Sequence, residues 1–166
     1  NSLFGTDVKQ HLAPIEDFSM KISMGKQAQV TKDFMIIARL ESLIAGGTVA
    51  EALERAYAYV KAGADGIMIH SKDKSGEDVK DFCLAFKSEY SHVPLILVPT
   101  TYNQFTEEEF QQWGANIIIY ANHMLRAAYP AMVTVAESIL QHGRSLEADS
   151  LCMPIKQILE LIPGGK

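Results

Sequence analysis

FMIIARLE at residues 34–41 and GIMIHSK at residues 66–72 decide the reading of this chain, because each is a short apolar run ending on a side chain able to meet an anion. Two further runs keep the pattern. Leu95–Pro99 ends on Thr100, and Ile117–Ala121 ends on Asn122 and His123. The segments between them have helical periodicity, so strands alternate with helices. That order predicts βαβ units with right-handed crossovers and a parallel sheet. In such sheets reactive groups gather at the carboxyl ends of the strands. Arg39 and His70 fall at two of those ends and predict a shared anion site.

Working outward, Pro14 opens a helix over Ile15–Lys26, with Glu16 and Asp17 at its positive end. Thr48 with Glu51, and Thr106 with Glu109, have capping-box spacing and predict two more helix starts. Val49, Leu53, Ala56, Tyr57 and Val60 recur on one face of the helix that stops before Gly63. Val79, Phe82, Cys83 and Phe86 form the core face of the next. The reading then predicts a long helix over 124–141 with Leu125, Ala128, Met132, Val135, Ala136, Ile139 and Leu140 inward. A linker at 143–150 and an apolar terminal helix within 151–163 complete the chain.

Composition narrows the function classes. The chain has 166 residues, 48% of them hydrophobic and 21% charged, and a net charge of −5. That suits one α/β domain and excludes wholesale disorder. Without a basic block, no nucleic-acid partner is expected, although an acidic chain can own one cationic pocket. The apolar runs fall short of the ~20 residues of a membrane helix, and no signal-peptide pattern is present, so no membrane association is expected. Cys83 and Cys152 lack metal-ligand spacing and are read as reduced thiols in a cytoplasmic protein. Four βα units make half of a (β/α)₈ barrel, which takes ~250 residues. The chain is therefore read as the carboxyl-terminal half of one TIM-type barrel domain over 1–166, with a loop at 1–14 and βα units over 15–142.

The candidate residues have competing plain roles. Arg39 offers a planar, permanently charged fork to phosphate or carboxylate, against the alternative of pairing only with Glu41. Glu41, two residues on, is read as the group that orients Arg39. His70 can donate to an oxyanion, against the role of a satisfied core histidine. Lys72 and Lys74 are read as solvated loop charges, and Thr100 and Thr101 as turn caps. Cys83 is read as a buried inert thiol. No Gly-rich phosphate loop, metal-spaced cluster or Ser–His–Asp arrangement is visible.

Taken in order, Asn1-Ser2-Leu3, Ala38-Arg39-Leu40-Glu41, Ile44-Ala45-Gly46, Ala62-Gly63-Ala64-Asp65-Gly66-Ile67, Met68-Ile69-His70-Ser71-Lys72, Val98-Pro99-Thr100 and Ala121-Asn122-His123 resemble the carboxyl-terminal half of the phosphoenolpyruvate mutase group. That group belongs to the isocitrate lyase/phosphoenolpyruvate mutase superfamily. The sister carbon–carbon lyases resemble the chain less, since they carry Arg-Thr-Asp where Arg39-Leu40-Glu41 stands. The resemblance implies an isomerase of phosphonate biosynthesis that interconverts phosphoenolpyruvate and phosphonopyruvate. It implies that Arg39 and His70 hold the phosphoryl oxygens, and that Asn1, Ser2 and Leu3 belong to a gating loop that binds substrate. It also implies Mg²⁺ with its ligands upstream of this chain, and a homodimer or homotetramer with an exchanged carboxyl-terminal helix. Phosphonopyruvate hydrolase on the same scaffold is the alternative, with threonine where Asn1 stands. A non-catalytic half-barrel binding small anions is the third reading.

Overall fold

The computed structural model describes residues 11–161. The chain divides into two compact units between Ala121 and Asn122. In the first, helices and strands alternate: α1 (Ile15–Gln27), β1 (Ile37–Leu40), α2 (Val49–Lys61), β2 (Gly66–Ile69), α3 (Glu77–Glu89), β3 (Leu95–Leu97), α4 (Glu107–Gln112) and β4 (Ile117–Ile118). The four strands form one parallel sheet in the order β1-β2-β3-β4. Both expected capping boxes are present. Thr48 and Thr106 each accept the backbone N–H of the glutamate three residues on, and that glutamate returns to the threonine's own N–H.

Alternation along the strands separates two faces. Ala38, Leu40, Ile67, Ile69, Leu95 and Leu97 are buried with Ile22 of α1, Ala52, Ala56 and Tyr59 of α2, Val79, Phe82, Cys83 and Phe86 of α3, and Phe110 of α4. The opposite face carries Ile37 beside Gly66, then Arg39 beside Met68 and Ile96. Gly66 is required there, since a Cβ would lie 2.8 Å from Ile37 Cδ1 and 3.0 Å from the Pro94 carbonyl oxygen.

The strands are shorter than the apolar runs. β1 begins at Ile37, not Phe34, and Phe34 and Met35 are exposed. Side chains take the backbone groups before it: Gln29 donates to the Phe34 carbonyl, and Asp65 accepts the Ile36 N–H at 2.7 Å. β3 ends at Leu97, which leaves Pro99 outside, and β4 is only Ile117–Ile118.

The second unit contains α5 (His123–His142), a 3-10 helix (Leu146–Leu151) and α6 (Ile155–Glu160). Here the sequence-based expectation needs correction. No side chain of α5 is buried, and Leu125, Met132, Ile139 and Leu140, expected inward, are exposed. Apolar periodicity supplies a face but not a surface to cover it, and Ala148 is the one buried residue among those described in this unit. The expected linker at 143–150 holds the 3-10 helix, entered through an Arg144–Glu147 ion pair. Pro130 sits inside α5, where it removes one backbone donor.

A candidate anion site at the carboxyl ends of β1 and β2

Arg39 lies on the face of β1 turned away from the helices, with Met68 opposite it in register. Its Nε donates to Oε1 of Glu41, the residue that follows the strand. The two side chains are partly open, at 44% and 25% exposure. His70 follows the last residue of β2 and is 1% exposed. One register step past Leu40 and Ile69 brings Glu41 and His70 to the same strand ends. The structure thus unites Arg39, Glu41 and His70, as the alternation predicts.

The imidazole of His70 is buried with neither ring nitrogen hydrogen-bonded among the described residues. Burial holds its pKa below the ordinary value of 6.5; the Arg39 charge pushes the same way, and the Glu41 carboxylate opposes both. A buried imidazole kept neutral has one N–H to donate and one nitrogen to accept. Beside a guanidinium, that pair of groups can meet an oxyanion.

The loop after His70 is braced on both sides. Ser71, buried, donates through Oγ to Asp78 Oδ2 at 2.5 Å and accepts the Asp73 N–H at 3.0 Å. Thr101 Oγ1 donates to the Ser71 carbonyl at 2.8 Å, tying in the loop after β3. Lys72, expected to be a solvated charge, reaches the Ile44 carbonyl with Nζ at 3.2 Å and ties in the loop after β1. These long-range bonds carry no local sequence signal. Only the short side chains at Ser71 and Thr101 hint at a turn.

A cavity of about 270 Å³ opens beside Arg39 and is lined by Phe18, Lys21, Arg39, Glu41, Arg55 and Tyr59, but not by His70. Three cations on its wall give the acidic chain a locally positive recess. Arg55 spans its rim, donating to the Ala13 carbonyl at 2.9 Å and to the Tyr59 hydroxyl at 3.0 Å. A larger cavity of about 560 Å³ lies at the start of α2, around Ser42, Gly46 and Thr48, and includes neither Arg39 nor His70. Cys83 is buried, and its thiol is pushed up to about 12, as an inert core residue requires. Asn122 takes the left-handed conformation and caps α5, with His123 starting the helix. Asn1, Ser2 and Leu3 lie outside the described residues. Among the described residues no group of three or more His, Cys, Asp or Glu is placed to hold a metal ion.

The parallel sheet has helices packed on one face, and an arginine and a histidine stand at the adjacent carboxyl ends of β1 and β2. The chain belongs to the phosphoenolpyruvate phosphomutase family, whose model matches residues 4–140. The solved phosphoenolpyruvate phosphomutase of Streptomyces platensis subsp. rosaceus superposes with a TM-score of 0.87 at 38% identity, covering 97% of this chain and 54% of that one. The phosphonopyruvate hydrolase of Variovorax sp. (strain Pal2) is 42% identical over 94% of this chain and 53% of its own length. A phosphonopyruvate hydrolase solved in complex with oxalate and Mg²⁺ superposes with a TM-score of 0.81 at 41% identity, covering 95% of this chain and 55% of that one. The chain spans about half the length of the curated relatives it matches. The fold is accordingly half of a (β/α)₈ barrel. No helix among the described residues is long and apolar enough to cross a membrane.

Proposed function

We propose that this chain is the carboxyl-terminal half of a phosphoenolpyruvate mutase, in which Arg39 and His70 hold the phosphoryl group that moves between the enol oxygen of phosphoenolpyruvate and carbon 3 of phosphonopyruvate. The observation that carries the reading is the buried imidazole beside Arg39, with neither ring nitrogen hydrogen-bonded among the described residues, in a chain of this family. An unpaired buried polar group costs on the order of 1–3 kcal/mol. A ligand that satisfies it recovers that cost. In the transfer the O–P bond breaks, the C–P bond forms, and charge spreads over the phosphoryl oxygens, so positioning and charge stabilisation supply most of the catalysis. Arg39 meets two of those oxygens at once and His70 donates to a third. By the family resemblance Asn1 would close over the phosphoryl group, with Ser2 and Leu3 binding substrate, and exclusion of water is what separates transfer from hydrolysis. The Mg²⁺ of this reading is held by acidic residues of the other barrel half.

Phosphonopyruvate hydrolysis is the second reading, favoured by the 42% identity to the Variovorax enzyme. Phosphorus NMR of the complete protein with phosphonopyruvate and Mg²⁺ separates the two. Conversion to phosphoenolpyruvate supports the mutase, release of phosphate supports the hydrolase, and no turnover overturns both. Arg39→Lys keeps the charge but loses the two-pronged fork. It is expected to reduce turnover at least 100-fold with the fold intact by circular dichroism; a loss of only a few fold makes Arg39 peripheral.

A further inference from the structure

Glu41 stands between the two anion-binding groups, and the hydrogen-bond pattern gives it a defined task. A guanidinium can present two donors to an oxyanion through its Nε and one Nη, or through its two Nη atoms. In this protein the first mode is taken, because Nε of Arg39 is engaged by Glu41 Oε1. What remains for a ligand is the Nη1/Nη2 end. Glu41 is also the carboxylate ion-paired with Arg39, and it follows directly on the strand that carries Arg39. We propose that Glu41 is a positioning residue: by engaging Nε it fixes which edge of Arg39 faces the substrate anion. The proposal rests on the reading of Arg39 and His70 as the phosphoryl-binding pair.

The charges that act on His70 have opposite effects, Arg39 disfavouring the imidazolium and Glu41 favouring it. Asp78, which approaches from α3, is committed to the Ser71 hydroxyl and the Val79 N–H. Removing the Glu41 charge therefore leaves Arg39 unopposed, and His70 must titrate at lower pH. A brace that only filled space would not move that midpoint.

The test uses the complete protein and three variants, with inorganic phosphate as the probe. Glu41→Ala removes both acceptor and charge, and is expected to weaken phosphate binding about 10-fold by calorimetry. Glu41→Gln keeps an oxygen for Nε, so binding at pH 6 is expected to stay within about 3-fold of the parent when corrected for the His70 protonation state. In Glu41→Gln the His70 resonance, assigned in proton–carbon NMR by its loss in His70→Asn, is expected to titrate at lower pH than in the parent. An unchanged midpoint in Glu41→Gln overturns the electrostatic role, and unchanged phosphate affinity in Glu41→Ala overturns the orienting role. Neither readout needs turnover. Absence of turnover in the parent would sink the proposed reaction, whereas the role of Glu41 stands or falls on phosphate affinity and the His70 midpoint.

Discussion

A histidine held neutral in the folded chain makes stability depend on pH in a definite direction. Burial and the Arg39 charge lower the pKa of His70 below 6.5, with Glu41 only partly offsetting them. Well above pH 6.5 the imidazole is neutral in both folded and unfolded chains, and the full stability is present. As pH falls below 6.5 the unfolded chain takes up a proton first, so stability declines until the folded imidazole protonates as well. Urea unfolding of the complete protein from pH 8 to pH 5 is expected to show this decline, and His70→Asn to flatten it. Equal pH slopes in the two proteins would show that His70 is not held neutral. At this scale Arg39 and His70 stand out in the sequence, since each follows an apolar run. Glu41 is legible only as a neighbour of Arg39, and the bracing bonds of Lys72 and Ser71 are not legible, because their partners at Ile44, Asp78 and Thr101 come from other elements or loops.

Between elements, a repeated clamp at the amino ends of the strands holds the sheet in register. Asp65, just before β2, accepts the Ile36 N–H at 2.7 Å and the Lys26 ammonium at 2.8 Å on each oxygen. Asn116, just before β4, accepts the Leu95 N–H and the Lys87 ammonium with Oδ1, both at 2.9 Å. The lysine stems explain the glycines two residues earlier. A Cβ on Gly63 would lie 3.1 Å from Lys26 Cγ, and one on Gly114 would lie 2.6 Å from Lys87 Cγ, and both glycines have positive φ. For Asp65, burial raises the carboxyl pKa, but the Ile36 and Lys26 hydrogen bonds and the Lys26 charge together hold it below 3.8. Its contribution is present at neutral pH and lost as pH falls through that lowered value. Asp65→Ala is expected to cost about 1–2 kcal/mol, since the ion pair is partly solvated and the backbone bond carries most of the effect. Asn116→Ala is expected to cost a similar amount, and the double variant their sum within about 0.5 kcal/mol, as separate sites do. Urea midpoints that do not move would leave the clamps without energetic weight. Gly63-Ala64-Asp65 stands out in the sequence, but no local pattern pairs a lysine with an acceptor 29 or 39 residues away.

For the molecule as a whole, the apolar residues of the second unit call for a partner. Met124, Leu125, Tyr129, Met132 and Leu140 of α5 and Ile155, Ile158 and Leu159 of α6 are all exposed. Apolar surface on this scale marks an interaction site or favours aggregation. A second copy of the protein is the expected cover, through exchange of one of these helices in a dimer or tetramer. Light scattering on the complete protein is expected to give an oligomer at micromolar concentration, and Met132→Asp with Leu125→Asp to shift it toward monomer. A stable parent monomer at that concentration would remove the exchange.

Local information decides what local physics controls. The capping boxes at Thr48 and Thr106, the buried stripe Val79, Phe82, Cys83 and Phe86, and the alternation that sends Leu40 into the core and Arg39 away from it all depend on residues a few positions apart. So does the reading of βα units in parallel order. Tertiary structure alone decided where each strand begins, because side-chain acceptors such as Asp65 compete for the backbone groups at its end. It also decided that the periodic face of α5 is exposed, since periodicity fixes the direction of apolar side chains but not the surface they meet. Most consequentially, it placed His70 beside Arg39 and Glu41 with its ring nitrogens unpartnered among the described residues. Two strand ends far apart in sequence become one site only when their strands hydrogen-bond in register, Arg39 opposite Met68 and Leu40 opposite Ile69.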